Sequence, residues 1–283
     1  MKKKKLRWGM IFVYLFIGIF GIITVFPFIY MILGGLMSYQ ETTTIPPTLI
    51  PKTLRWSNYQ KVFEQAPFAR YFLNTFITAA TTTIVTLFTS ILGAFAMTNL
   101  KFKGKGFIQL IFLSLLMVPG EAIIFTNYNT IAHLGLLNTY LGLVLPFLTS
   151  IFYMYYLQSY FTAISPTIYK AAMIDGASDW EYIWKILVPM SKGGLITVAL
   201  LSFISGWNSF LWPLLVTNED KMRLLNNGLA AFASDAGAQT QLQLAAATLT
   251  VVPVLIVYFI FRKQIIRGVV RNDLKAENDS YFL

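Results

Sequence analysis

The sequence predicts an all-α integral membrane protein with six transmembrane helices and both termini in the cytoplasm. Hydrophobic residues make up 56% of the 283-residue chain and charged residues only 12%. Soluble domains carry about 25% charged residues, so this chain has too little polar surface to cover a water-facing globule. Its apolar residues also fall into separate runs, each near the roughly 20 residues that a helix needs to cross a hydrocarbon core.

Six such runs follow one another along the chain. They extend from about Met10 to Leu36, Asn74 to Thr98, Phe107 to Thr126, Leu136 to Leu157, Gly194 to Val216, and Leu242 to Phe261. The first run is too long for a secretory signal, and no small-residue cleavage site follows it, so we expect an uncleaved span. The second run is rich in threonine, whose hydroxyls bond back to helix carbonyls and suit a packed interface better than lipid.

The basic residues predict the orientation of these spans. The chain carries 22 lysines and arginines against 12 acidic residues. With the N-terminus inside, the segments 1–9, 99–106, 158–193 and 262–283 hold 16 of the 22 basic residues. This positive-inside bias places both termini in the cytoplasm. Because the charges flank spans and form no continuous face, we do not expect nucleic acid as a partner.

The residue inventory excludes several kinds of chemistry. The chain has no cysteine and one histidine, His133, so thiol catalysis, thiolate metal sites and histidine-rich metal centres are not expected. It also lacks the glycine-rich phosphate loop that ends in Lys-Ser or Lys-Thr. We therefore expect a chain that is not an enzyme, holds no metal and binds no cofactor directly.

The connection between the fourth and fifth runs, residues 165–190, has a pattern of its own. Ser165 and Pro166 are typical of a helix start, and Gly176 of a helix end in the left-handed conformation. Ser178 and Glu181 have the spacing of a capping box. After it, one helix face is apolar and Pro189 is expected to stop the helix; that face is formed by Trp180, Ile183, Trp184 and Leu187.

This spacing predicts two short helices joined at a glycine, which we call the elbow (residues 165–190). The helices are too short to span a membrane and too apolar to remain free in water. Two interpretations are open: the elbow packs against the inner helix ends of its own chain, or it docks onto a separate cytoplasmic partner.

The elbow resembles the cytoplasmic motif of ATP-binding-cassette importer permeases, through Ala171-Ala172, Asp175-Gly176-Ala177 and Pro189. Further segments resemble the carbohydrate-importer branch of the maltose-permease type, with its type I fold. They are Asn58-Tyr59, Asn74-Thr75, Phe102-Lys103-Gly104, the run from Met117 to Glu121, the run from Gly135 to Tyr140, and the run from Trp207 to Leu214. The chain departs from the family pattern where Lys170 replaces a glutamate, Ile183 a phenylalanine and Gly193 a proline, and in its C-terminal tail.

The resemblance implies a permease subunit in the bacterial cytoplasmic membrane that forms half of the pore of an ATP-driven importer of oligosaccharide-type sugars and docks an ATPase through the elbow. The expected partners are a second permease subunit, two ATPase subunits that use the ATP, an extracytoplasmic sugar-binding protein, and membrane lipid. The division is then a first span within 1–36, an extracytoplasmic loop at 37–70, a transmembrane core at 71–262 and a cytoplasmic tail at 263–283. The residues implied in ATPase docking are Lys170, Ala171, Ala172, Asp175, Gly176, Ala177, Trp180, Ile183 and Trp184.

The sugar path has its own candidate residues. Glu121 is the only carboxylate within a predicted span, and Pro119-Gly120 should loosen the helix beside it. The other candidates are aromatic and amide side chains that suit a sugar: Asn127, Tyr128, Trp207 and Asn208. The alternative function is a secondary sugar transporter that uses Glu121, although such transporters usually show internal repeats and more buried charges.

Overall fold

The computed structural model describes residues 8–235 and 239–279, and helices dominate this part of the chain. The predicted all-α class is confirmed there. The helices are α1 (Trp8–Gly34), α2 (Tyr39–Thr43), α3 (Ser57–Gln65), α4 (Phe68–Asn99), α5 (Lys105–Leu116), α6 (Ile124–His133), α7 (Tyr140–Val144), α8 (Ile151–Thr162), α9 (Pro166–Ile174), α10 (Asp179–Tyr182), α11 (Val188–Met190), α12 (Lys192–Trp207), α13 (Leu211–Val216), α14 (Leu225–Asp235) and α15 (Thr240–Asp279). The basic segment before Trp8 and the last four residues of the predicted tail lie outside the described residues.

Three of the six predicted spans are continuous helices. Their apolar stretches are Phe12–Gly34, Phe68–Asn99 and Thr240–Arg262, each long and apolar enough to cross a membrane. The second span begins earlier than the expected Asn74, and at 1.5 Å per residue its 32 residues measure about 48 Å. It therefore extends beyond a hydrocarbon core of about 30 Å.

The third predicted span, expected as one helix, is broken instead. α5 ends at Leu116, and the 3₁₀ turn Gly120–Ile123 and α6 leave at an angle of 91° to it. Pro119 explains the break, because it has no amide hydrogen and disfavours a helical conformation in the residue before it. The helix was expected only to loosen at Pro119-Gly120, but the chain turns there by 91°.

The fourth predicted span is also bent, by 50°, between Phe147 and Ile151. The bend leaves backbone carbonyls without helical partners, and threonines of α4 supply the missing donors. The hydroxyl of Thr86 donates to the carbonyl of Phe147 at 2.7 Å, and that of Thr89 donates to the carbonyl of Leu148 at 2.9 Å. A break within a membrane requires such internal partners, so the threonine-rich α4 stabilises the bend.

The fifth predicted span, expected to be continuous from Gly194 to Val216, consists of α12 and α13 with a break between Trp207 and Leu211. The side-chain amide of Asn226 donates to the carbonyl of Trp207 at 3.2 Å, which satisfies one of the groups that the break exposes. By length and composition the described helices provide three spans, or up to six if each bent pair is one span; the third such pair joins Asp179–Met190 to α12 and does not include α13.

The chain divides into two compact units, and the first comprises the segment up to Phe68 together with Gly228–Pro253. Asn58 organises the end of α1 in this unit. Its buried amide donates to the carbonyls of Gly35 and Met37 at 2.9 and 2.8 Å. Within the predicted outer loop, Glu41 forms a capping box with Ser38. The backbone amides of Ser38 and Lys52 both donate to the Glu41 carboxylate, and these bonds lower the pKa of Glu41 to about 2.

The second unit covers Ala69–Asn227 and Val254–Leu283. Two clusters of buried apolar residues lie in this unit. The first cluster connects four segments: the C-terminal half of α4, helix α8, the elbow, and the start of α12. Its members include Phe95, Leu157, Tyr182 and Leu195. The other joins α6, α7, α13 and the segment after it. Segments predicted on one side of the membrane therefore pack with one another, as alternating spans require.

Candidate functional site

The first helix of the elbow has the boundaries that its sequence predicts. The hydroxyl of Ser165 accepts the amide hydrogen of Thr167, and α9 begins at Pro166. At the other end Gly176 has φ +83°, and its amide donates to the carbonyl of Met173 at 3.2 Å. The amide of Ala177 donates to the carbonyl of Ala172 at 3.0 Å. These paired bonds form a Schellman motif, in which glycine relieves the strain of a left-handed residue.

The second helix starts with the predicted capping box. The hydroxyl of Ser178 accepts from the amide of Glu181, and the carboxylate of Glu181 accepts from the amide of Ser178 at 3.1 Å. Lys185, one turn later, donates to the same carboxylate at 2.7 Å. The hydrogen bond from Lys185 has the larger effect and the bond from the backbone of Ser178 the next largest, and together they lower the pKa of Glu181 to about 2. The carboxylate thus stays ionised, and the cap stays formed, at neutral pH.

The helix ends at Met190, one residue beyond Pro189, close to the expected stop. The helix passes through a π turn at Ile183–Leu187, where the amide of Val188 bonds five residues back to Ile183, and it continues to Met190. A proline ring normally clashes with the carbonyl four residues before it, and the wider π turn relieves that clash. The chain then bends by 85° at Ser191 into α12.

The inner face of the elbow packs against its own chain. Ala172, Tyr182, Ile183 and Leu187 are buried, with Ile183 only 3% exposed, in the cluster that contains residues of α4, α8 and α12. Tyr182 makes an edge contact with Tyr169 at a ring-centroid distance of 4.9 Å. The interpretation that the elbow packs on its own helix ends is therefore correct for this face.

Two further contacts fix the elbow in place. The hydroxyl of Tyr169 on α9 donates to the carboxylate of Asp179 on α10 at 2.7 Å, which links the two helices across the glycine turn. Burial of the Tyr169 hydroxyl, and to a smaller extent its hydrogen bond to the Asp179 carboxylate, raise the pKa of Tyr169 to about 12. The ring of Trp184 stacks on Phe88 of α4, with centroids 6.0 Å apart and planes 13° apart.

The outer face of the elbow remains uncovered in this chain. Ile174 is 85% exposed and Trp180 is 56% exposed, so two large apolar side chains flank the glycine turn. Trp180 contacts Phe88 and Trp184 with its ring edge and leaves the rest of its surface open. The other members of the predicted docking set on this exposed face are Lys170, Ala171, Asp175 and Gly176.

The predicted sugar-path residues lie in two separate places. Glu121 is exposed in the 3₁₀ turn at the break of the third span, and Asn127 and Tyr128 are half-buried on α6. Trp207 is buried against Phe72 and Phe203, while Asn208 is exposed at the break after α12. Tyr128 packs against the cluster that contains Trp212 and Leu224, whereas Trp207 packs against Phe72 and Phe203, so these two candidates have different neighbours.

A cavity of about 320 Å³ lies elsewhere in the second unit, and sequence reasoning missed it. α4 contributes three threonines to its wall, and α12, with the break after it, contributes three serines. They are Thr78, Thr82, Thr86, Ser202, Ser205 and Ser209. The bend of the fourth span adds Thr149, Ser150, Phe147, Phe152 and Tyr153, and Gly206, Trp212, Pro213, Leu143 and Leu224 complete the lining.

The hydroxyl groups of the wall follow a helical spacing. The threonines recur every four residues along α4, so they share one face of that helix, and the serines have a similar spacing along α12. The hydroxyl of Thr78 is buried and has no hydrogen-bond partner among the described residues. None of the lining residues carries a formal charge. This wall can hydrogen-bond a neutral polar ligand through many hydroxyls at once.

Residues 87–271, which contain the elbow and most of the cavity wall, match the family described as the inner membrane component of binding-protein-dependent transport systems. The chain belongs to this family. It is therefore a transport subunit of the inner membrane, in agreement with the resemblance found in its sequence.

Three proteins illustrate the breadth of the match. The chain is 32% identical to the sn-glycerol-3-phosphate transport system permease protein UgpE of Yersinia pestis, over 93% of this chain and 96% of that one. It is 31% identical to the diacetylchitobiose uptake system permease protein NgcG of Streptomyces coelicolor, over 87% and 83%. A crystal structure of a bacterial ABC transporter that imports alginate contains a chain of the same fold, with a TM-score of 0.81 and 24% identity, over 93% and 98% of the two chains.

Proposed function

We propose that the chain is the permease subunit of an ATP-driven carbohydrate importer, forms half of the translocation pore, and docks an ATPase through the elbow. The exposed pair Ile174 and Trp180 carries this proposal. The inner face of the elbow is held by buried packing and by the Tyr169–Asp179 hydrogen bond, yet its outer face presents two large apolar side chains. A rigid, partly apolar projection of this kind suits a groove on a soluble partner.

The family description supports the expected division of work among subunits. A system that depends on a binding protein receives its solute outside the membrane, and the energy must come from another subunit because this chain has no phosphate-binding loop. The complete importer then contains a second permease subunit, two ATPases that bind the ATP, and the extracytoplasmic binding protein. The chain itself is not an enzyme and needs no cofactor or metal.

The second permease and the surrounding lipid account for the exposed surface of α1. Every described side chain from Phe12 to Ile29 is exposed. Such a helix, apolar on all sides, is stable only in hydrocarbon or against another apolar helix. The distribution of basic residues supports a cytoplasmic position for both termini, and hence for the elbow, on the side where the ATPases would bind.

The elbow can pass movement to the sugar path through α12. The buried residues Leu195 and Val198 of α12 pack in the same cluster as Tyr182 and Ile183 of the elbow. Ser202, which lines the cavity, follows Val198 by one turn on the same helix. Close-packed helices move as bodies and do not deform continuously, so a displacement of the elbow by the ATPase would reach the cavity wall.

A matched pair of tryptophan variants tests the docking. Trp180→Ala should reduce the amount of ATPase that co-purifies with the permease, because truncation of a central aromatic contact costs about 2 kcal/mol or more, roughly 30-fold in affinity. Trp56→Ala is the control, since Trp56 is 67% exposed in the predicted outer loop. It should leave ATPase retention unchanged. Equal retention by both variants, with normal ATP-dependent uptake, would contradict docking through the elbow.

The alternative, a secondary transporter that uses Glu121, predicts a different energy source. Uptake would survive the loss of ATP and collapse with the proton gradient, and Glu121→Gln would abolish it. The membership of the chain in a binding-protein-dependent family favours the ATP-driven importer. The exposed position of Glu121 at a helix break, apart from the cavity, supports the same choice.

A further inference from the structure

We infer that the cavity between α4 and α12 binds an uncharged sugar unit and excludes anionic solutes of the same size. This inference rests on the proposed function, and it narrows the class of solute that the importer carries. The relatives do not decide the matter, because their names include both a phosphorylated polyol and a neutral disaccharide.

The hydrogen-bonding capacity of the wall suits sugar hydroxyls. A hydroxyl side chain offers one donor and two acceptor positions, so it can pair with a sugar hydroxyl in either direction. The hydroxyl of Thr86 donates its hydrogen to the carbonyl of Phe147 and can still accept a hydrogen bond from a ligand.

The aromatic side of the cavity provides an apolar surface for the ring of a sugar. Trp212 is held in one orientation, because its indole nitrogen donates to the carbonyl of Gly142 at 3.2 Å. It also makes an edge contact with Phe147 at a centroid distance of 5.9 Å. Fixed aromatic rings beside flexible hydroxyls match a ligand that has apolar C–H faces and polar edges.

Because none of the lining residues is charged, we expect the cavity to bind neutral ligands more tightly than anionic ligands of the same size. A carboxylate or phosphate inside the cavity would lose much of its hydration and meet no lysine or arginine of the wall. Sites that bind phosphate or carboxylate groups use paired cations or clustered backbone amides for this reason. The volume of about 320 Å³ lies at the lower end of the range for small-ligand sites, about 300–1,000 Å³, which suits one sugar unit.

The natural absence of cysteine allows a direct test on the complete transporter in membrane vesicles. Ser205→Cys places one thiol in the cavity wall, and its rate of reaction with a small neutral methanethiosulfonate reports access to it. The probes are pairs that differ by one charged group: glucose and glucuronate, galactose and galacturonate, glycerol and sn-glycerol 3-phosphate. Thr130→Cys is the control, because Thr130 is exposed on α6 and does not line the cavity.

At least one neutral probe should slow the labelling of Ser205→Cys, about fourfold at three times its Kd, while its charged counterpart has no effect. Thr130→Cys should react at the same rate with every probe. Equal protection by both members of a pair would overturn the charge selectivity. If no probe that the transporter imports protects Ser205→Cys, the cavity is not the binding site, although the proposed function stands. If neutral probes protect Ser205→Cys but the complex shows no ATP-dependent uptake, the proposed function is contradicted, whereas the selectivity of the cavity for neutral ligands is supported.

Discussion

The glycine turn of the elbow provides the sharpest test of coupling, through the substitution Gly176→Val. Gly176 has φ +83°, and a Cβ atom added there would meet nothing within 4 Å. A valine side chain therefore meets no steric clash with neighbouring atoms at Gly176, and the free-energy cost of the substitution comes from backbone strain alone. A β-branched residue in this conformation is a genuine outlier, with a strain of about 1–3 kcal/mol.

The strain can be relieved only if the turn changes its conformation. That change would break the bonds from the amides of Gly176 and Ala177 to the carbonyls of Met173 and Ala172. It would also alter the angle between α9 and α10, and thus the spacing of Ile174 and Trp180. If docking requires the observed geometry, a strain of 1–3 kcal/mol corresponds to roughly a 5- to 150-fold loss of ATPase affinity.

Gly193→Val is the matched control for this substitution. Gly193 also has nothing within 4 Å of an added Cβ, but it lies in the first turn of α12, and its φ is not positive. Valine is a better helix former than glycine, so this change should cost little. The assay combines co-purification of the ATPase with uptake of labelled sugar, after the membrane level of each variant has been matched. Wild-type retention and uptake in Gly176→Val would refute the reasoning, since the turn would then have no part in docking.

Three further predictions concern orientation, pH and helix packing. A reporter that is active only in the cytoplasm should be active when fused to the C-terminus; activity of a periplasmic reporter there would contradict the topology. The Glu181 carboxylate has a lowered pKa, so its cap should be complete above pH 4.5 and lost as the pH falls towards about 2. Hydrogen exchange at the elbow, corrected for intrinsic rates, should show this loss, and Glu181→Gln should remove its pH dependence. Gly206→Val should lower the unfolding temperature, because an added Cβ would lie 3.1 Å from Cα of Ala79, whereas Gly193→Val should not.

The elbow could be predicted residue by residue because its signals are local. A serine cap, a capping box and a glycine helix end each involve residues at most five positions apart, and all were found where the spacing placed them. The helix stop near Pro189 was predicted to within one residue, but the π turn before it was not. Periodicity arguments assume 3.6 residues per turn throughout, so they miss a wider turn that makes room for the proline ring.

The sugar path could not be predicted in the same way. Charged and aromatic residues within the spans pointed to Glu121, which lies in the 3₁₀ turn of the third span, and to Trp207, which ends α12; neither lines the cavity. The cavity depends on which faces of α4 and α12 meet and on where the fourth and fifth spans break. A signal was available in the threonines spaced by four along α4, which were interpreted only as a packed interface. Tertiary contacts decide which hydroxyls pack and which remain free.

The hydroxyl side chains of α4 have two separate tasks, and both follow from the cost of an unpaired polar group in a membrane. Thr86 and Thr89 donate to carbonyls that the bend of the fourth span leaves without helical partners. Thr78, on the same face, has no such partner and lies in the cavity wall. An intramembrane break is tolerated only when its backbone groups are satisfied or face water. The same helix thus stabilises the bend that opens the cavity and contributes threonines to the cavity wall. An importer gains from this arrangement, because neutral hydroxyls can bind a sugar and then release it without the cost of separating buried charges.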